Sequence, residues 1–239
     1  MKSKLGFKHG LRDGVPIGLG YLSVSFGFGI MAVGEGLSVL NATILSLFNL
    51  TSAGQVAGLS IIASGGTYAE MALAQLVINM RYALMSLSLS QKLDKSFTLF
   101  HRFTTSFGIT DEIFAVAAGK PCNISRSYMY GLMLMPIIGW TGGTFLGAAA
   151  GEILPEAVKN ALGLAIYGMF IAIVIPPAKK NSGVLTVAAT AIVLSCILYY
   201  VPLFDNISSG FSVIICAVAA SVLGAVVFPV PSSDEEESE

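Results

Sequence analysis

Charge is what this chain has least of. Only 11% of its 239 residues are charged and two are histidine, against about 25% charged residues in a soluble globular domain. With 54% hydrophobic residues and a mean hydropathy of +0.78, that scarcity excludes the soluble enzyme classes and marks a membrane protein. At roughly 20 apolar residues per spanning helix, the length allows about six to eight hydrophobic segments and leaves no room for a sizeable soluble domain. Cysteine is equally sparse: Cys122, Cys196 and Cys216 are odd in number and far apart. They show neither the C-x-x-C nor the Cys/His spacing that a zinc site or disulfide framework needs. His9 and His101 each stand beside basic residues near an expected membrane surface, which argues against a haem or di-metal centre. The chain also lacks any Ser/His, Cys/His or H-E-x-x-H arrangement for an intramembrane enzyme. No cofactor, metal or nucleic-acid partner is expected, and the lipid bilayer is the expected surrounding.

The apolar segments are long. They run over 14–34, 67–91, 127–150, 161–177, 182–200 and 209–229, each long enough or nearly so to cross ~30 Å of hydrocarbon. Two further segments, 41–64 and 103–119, are interrupted by polar and glycine clusters at Asn49 to Gln55 and Thr104 to Glu112. The fold class expected is therefore an all-α polytopic membrane protein with about six full transmembrane helices and two interrupted or re-entrant segments. Residues 1–230 are read as a single transmembrane transporter domain. Residues 231–239, with Asp234, Glu235, Glu236, Glu237 and Glu239, are read as an acidic disordered cytoplasmic tail.

Cation placement bears on topology. If both interrupted segments re-enter, eleven lysines and arginines lie on the cytoplasmic side against Lys159 alone outside; if both cross, the ratio falls to 8:4. The positive-inside rule favours re-entry, and both models put both termini in the cytoplasm. A basic stretch before the first apolar run has the outline of a signal peptide, but that run is too long for a usual h-region, and the first span is expected to stay as an anchor.

Glycine patterns the packing. Gly139, Gly143, Gly147 and Gly151 recur every fourth residue and share one helix face, where another backbone can approach closely. Gly10, Gly14 and Gly18 repeat the spacing beside Pro16.

Polar residues at membrane depth point to function. Arg81 lies about ten residues, or ~15 Å of helix, from the basic end of its span, beyond the reach of snorkelling. Burying it costs on the order of 3 kcal/mol, so it should find an acidic partner or a wet cavity. The candidate partners are Asp111, Glu112 and Glu70. Consecutive helical residues point about 100° apart, so Asp111 and Glu112 cannot both meet one arginine side by side; one can pair while the other carries protons. Asn79, Gln55, Thr51, Ser52, Thr104 and Thr110 supply uncharged groups able to orient a small polar ligand. Two broken segments entering from opposite faces would bring helix ends to the midplane, as transporters do for zwitterionic or anionic substrates. A passive channel or uniporter for small solutes is the alternative that the same segments permit.

These motifs resemble a known family. Gly10-x3-Gly14-x-Pro16-x-Gly18, Ala53-Gly54-Gln55, Asn79-Met80-Arg81-Tyr82 and Thr110-Asp111-Glu112-Ile113-Phe114, in this order and spacing, are similar to the AzlC-type branched-chain amino acid permeases and exporters. The resemblance covers most of residues 6 to 180, with Tyr82 standing where the family often has histidine. It implies an inner-membrane carrier that exports branched-chain amino acids and works with a separate small membrane subunit of the AzlD type. The polar residues themselves are read as a proton-coupled site in which Gln55, Thr51, Ser52, Asn79, Arg81 and Thr110 would bind substrate, and Asp111 and Glu112 would couple transport to protons.

Overall fold

The structure, a computed structural model, describes residues 6–229. Ten α-helices account for most of them, and among the described residues there is no strand beyond one isolated bridge, Leu93 to Ile124. The acidic tail expected over 231–239 lies outside the described residues. The six long apolar segments each become one helix: α1 (Phe7–Gly34), α4 (Tyr68–Ser90), α7 (Arg126–Ile153), α8 (Glu156–Lys180), α9 (Ser182–Tyr200) and α10 (Ser209–Val227). Five of these, all but α8, are long and apolar enough by length and composition to cross a membrane among the residues searched. The two interrupted segments become pairs of short helices, α2 (Val39–Phe48) with α3 (Ser52–Ala63), and α5 (Leu99–Ser106) with α6 (Asp111–Ala118). The chain is a multi-pass helical membrane protein.

Among the described residues, 6–59 and 79–167 form one compact unit, and 60–78 with 168–229 form a second. The first is organised by α1 against α7. The same offset of 121 residues separates Gly18 from Gly139 and Ile30 from Gly151, which touch across the seam, so the helices run parallel and in register. Their backbones lie so close that a Cβ on Gly18 would stand 2.6 Å from the Met135 carbonyl. Cβ atoms on Gly10, Gly139, Gly143 or Gly147 would likewise meet backbone of the facing helix. With no hydrophobic drive between helices in lipid, such contact and the dispersion it gathers are what hold two spans together.

The second broken segment is a hairpin whose ends are held together. Asp94 N–H donates to the Ile124 carbonyl at 2.9 Å, and Ile124 N–H donates to the Lys92 carbonyl at 2.8 Å. The chain leaving α4 is thus pinned to the chain entering α7, and the segment between leaves and returns to one place. Lys92 Nζ adds bonds to the carbonyls of Ala118 and Lys120. An apolar core built on Ile109, Ile113, Ala117, Tyr128, Leu132 and Met133 packs this hairpin against α7.

The first broken segment lies between α1 and α4, and α1 and α3 end alike: α1 closes on Gly36 at φ +91° and α3 on Gly65 at φ +68°. Each has the paired carbonyl contacts of a Schellman end, Leu37 N to Ala32 O and Gly66 N to Ile61 O.

In the second unit α9 and α10 form a helical hairpin joined by a 3-10 turn at Pro202–Phe204. Glu70, in the first turn of α4, sits at the N-terminus of α10. Its Oε1 accepts from Gly210 N–H at 2.8 Å and from the Ser208 hydroxyl. The carboxylate is only 2% exposed and satisfies backbone donors that the helix itself leaves open. Glu70 is thus an α10 cap, whereas the carboxylate opposite Arg81 comes from Asp111.

Candidate functional site

Both breaks open near the middle of the α1 and α7 pair. Tyr21 and Trp140 each lie halfway along their 28-residue helices, and their rings meet edge to face with centroids 5.3 Å apart. Each of the two aromatics holds a different broken segment.

Trp140 holds the first. Its indole Nε1 donates to Gln55 Oε1 at 2.8 Å. Gln55 Nε2 donates in turn to the Ser46 hydroxyl, which lies 2.6 Å from Thr144 Oγ1. Gln55, Ser46 and Thr144 are all fully buried. The network therefore stitches α2 and α3 together across the gap at Asn49 to Thr51 and fastens both to α7. Within the gap Thr51 acts as the cap of α3, its Oγ1 accepting from Gly54 N–H at 3.2 Å, and Ser52 opens the helix half-buried.

Tyr21 holds the second. Its hydroxyl donates to Glu112 and lies 2.6 Å from Thr110 Oγ1. Thr110 is the N-cap of α6, accepting from Ile113 N–H at 3.4 Å. An acidic pair in the first turn suits the positive end of the helix. Asp111 points elsewhere: its Oδ2 is 3.0 Å from Arg81 Nη2 on α4. The two adjacent carboxylates thus divide, one to the guanidinium and one to the phenol. The same Nη2 donates to the Tyr82 hydroxyl at 3.0 Å, and the guanidinium carbon lies 4.9 Å from the Tyr82 ring centroid.

Burial separates the two halves. Arg81 and Asp111 side chains are each 47% exposed, whereas the Gln55 network is closed. The site therefore has an open charged side and a closed polar side joined by the Tyr21–Trp140 contact. Asn79 is half-buried on α4 two residues before Arg81. Thr104, expected among the ligand-orienting groups, is occupied within α5 by the Phe100 carbonyl at 3.1 Å and by the Tyr130 hydroxyl at 2.6 Å.

Sequence reasoning did not single out Tyr21, Trp140, Ser46 or Thr144. The one available signal is that Trp140 is the only tryptophan in the chain and lies on the same stretch as the glycine repeat.

The family model described as AzlC protein matches residues 16–154, the stretch that holds both breaks and the helices flanking them. A membrane protein of Archaeoglobus fulgidus is 31% identical over 195 residues, covering 79% of this chain and 84% of the relative. The inner membrane protein YgaZ of Escherichia coli is 29% identical over 194 residues, covering 77% and 78%. A membrane protein of Helicobacter pylori is 24% identical over 149 residues, covering 61% and 64%. No solved structure matches the chain.

Proposed function

The chain belongs to the AzlC family of membrane proteins, and from that premise we propose that it is a secondary transporter exporting branched-chain or other small apolar amino acids. In this reading transport is proton-coupled, the cation-rich face is cytoplasmic, the membrane is the inner membrane, and a small subunit of the AzlD type completes the carrier. The observation that carries the reading is the meeting of two broken segments at one aromatic pair halfway along α1 and α7. Such a junction concentrates helix N-termini, a guanidinium and carboxylates where lipid offers no other partner.

Arg81 exchanges Asp111 for the carboxylate of the substrate. Asp111, released, or Glu112 beside Tyr21 takes the coupling proton. Thr51, Ser52, Gln55, Asn79 and Thr110 orient the polar end of the ligand, and apolar residues of α1 and the breaks accommodate its side chain. Neighbouring aliphatic substrates differ by only about 1 to 3 kcal/mol per methylene in such a pocket, so a selectivity range rather than one amino acid is expected.

Efflux of labelled leucine from preloaded vesicles, with and without the small subunit and before and after collapse of the proton gradient, tests the proposal. Efflux against a gradient that stops when the proton gradient is collapsed supports it. Equilibration that ignores the proton gradient would instead identify a channel or uniporter, and no leucine movement would reject the substrate class.

A further inference from the structure

Apart from the junction, the first unit carries an apolar groove of about 360 Å³ between the C-terminal half of α4, α5 and α7. Its walls include Ala83, Leu87, Leu93, Phe103, Ile109 and Met129, and the Arg102 side chain lines it as well. From Ala83 to the end of α4 at Ser90 the groove follows seven residues of helix, or about 10 Å at helical rise, against the ~30 Å of the whole hydrocarbon core.

Arg102 is placed at its shallow end. It stands in the first turn of α5, directly after the loop that is pinned to Ile124, whereas Ile109 and Ala83 lie deeper. Among the described residues the ion pairs are Arg81 with Asp111 and Lys120 with Asp13, so Arg102 has no acidic partner there. Its neighbour His101 accepts from Arg126 Nη1 at 2.8 Å, which brings a second guanidinium to the same end of α5. Uncompensated cations at one end of an apolar groove are complementary to an amphiphile with an anionic head and a hydrocarbon tail.

We propose that this groove is a binding site for an anionic phospholipid, with one acyl chain along α4 and α5 and the phosphate at Arg102. The site is independent of the transported substrate. A lipid held there packs against Ile109 at the second break and so supports the α5–α6 hairpin from its lipid side.

The test is lipid retention by the full-length protein, purified in detergent and titrated with phosphatidylglycerol or phosphatidylcholine while bound lipid is counted by native mass spectrometry. The wild type is expected to prefer phosphatidylglycerol. Because one basic residue near a membrane surface contributes about a fivefold preference, Arg102→Gln should lose roughly that factor for phosphatidylglycerol and leave phosphatidylcholine unchanged. Arg102→Lys should keep most of it, and Ala83→Phe, which fills the deep end, should reduce retention of both lipids. Equal retention of the two lipids by the wild type, or an unchanged preference in a folded Arg102→Gln variant, would overturn the proposal.

Discussion

Tyr21 and Trp140 meet edge to face at 5.3 Å, and each binds a different interrupted segment, Tyr21 through Thr110 and Glu112 and Trp140 through Gln55. The α1–α7 pair is therefore more than a scaffold. Through this contact the two halves of the site touch.

Trp140→Phe keeps the ring contact but removes the indole donor, leaving Gln55 Oε1 buried without it. An unsatisfied buried acceptor costs about 1 to 3 kcal/mol, so the apparent unfolding temperature in detergent should fall. Gln55→Leu removes the acceptor as well, and combined with Trp140→Phe it should cost less than the sum of the two single changes.

The glycine seam predicts a contrast along a single helix. A side chain on Gly147 meets the Phe26 backbone, while one on Gly142 meets nothing within 4 Å. Gly147→Ala should destabilise by roughly 1 to 3 kcal/mol or more, because backbone cannot move aside as a side chain can. Gly142→Ala should stay within about 0.5 kcal/mol of wild type. Thermal unfolding of the two variants side by side reads the difference.

Re-entry is open to cysteine labelling. In a variant lacking Cys122, Cys196 and Cys216, single cysteines at Lys95 and Asn123 flank the α5–α6 hairpin and should react with an impermeant thiol reagent from the same side. Cysteines at Leu37 and Tyr68, flanking α2–α3, should react together from the opposite side. Labelling of Lys95→Cys and Asn123→Cys from different sides would mean that the segment crosses.

The long spans and both breaks were legible in the sequence because each is a local property: a run of apolar residues, or a cluster such as Thr51 to Gln55 within one. The cost of a lone charge at depth called for an acidic partner of Arg81 among Asp111, Glu112 and Glu70, and helix geometry for a division of Asp111 from Glu112; the structure selects Asp111. Tyr21 and Trp140 were not legible, since an aromatic residue on an apolar helix looks the same whether it faces lipid or a buried amide. Ser46 and Thr144 passed for ordinary small residues for the same reason. Glu70 was considered for Arg81 because both lie on one span, yet the open donors at the start of α10, more than a hundred residues later, bind it instead. That contact depends on tertiary placement alone.

Asp111→Asn removes the carboxylate 3.0 Å from Arg81 and should impair coupled leucine efflux strongly in a variant whose unfolding transition in detergent shows it to be folded. Exchanging the two charges, Arg81→Asp with Asp111→Arg, separates a lock from a binding site. A structural lock would recover transport, and a substrate-binding arginine held on α4 would not.

The most direct measurement is labelled-leucine efflux by Arg81→Gln in vesicles, beside the wild type and after both have been shown to be folded by matching unfolding transitions. With Arg81 at the centre of the site, efflux by the variant should fall to the level of protein-free vesicles. Efflux at the wild-type rate would contradict both roles given to this residue, as ligand for the substrate carboxylate and as partner of Asp111.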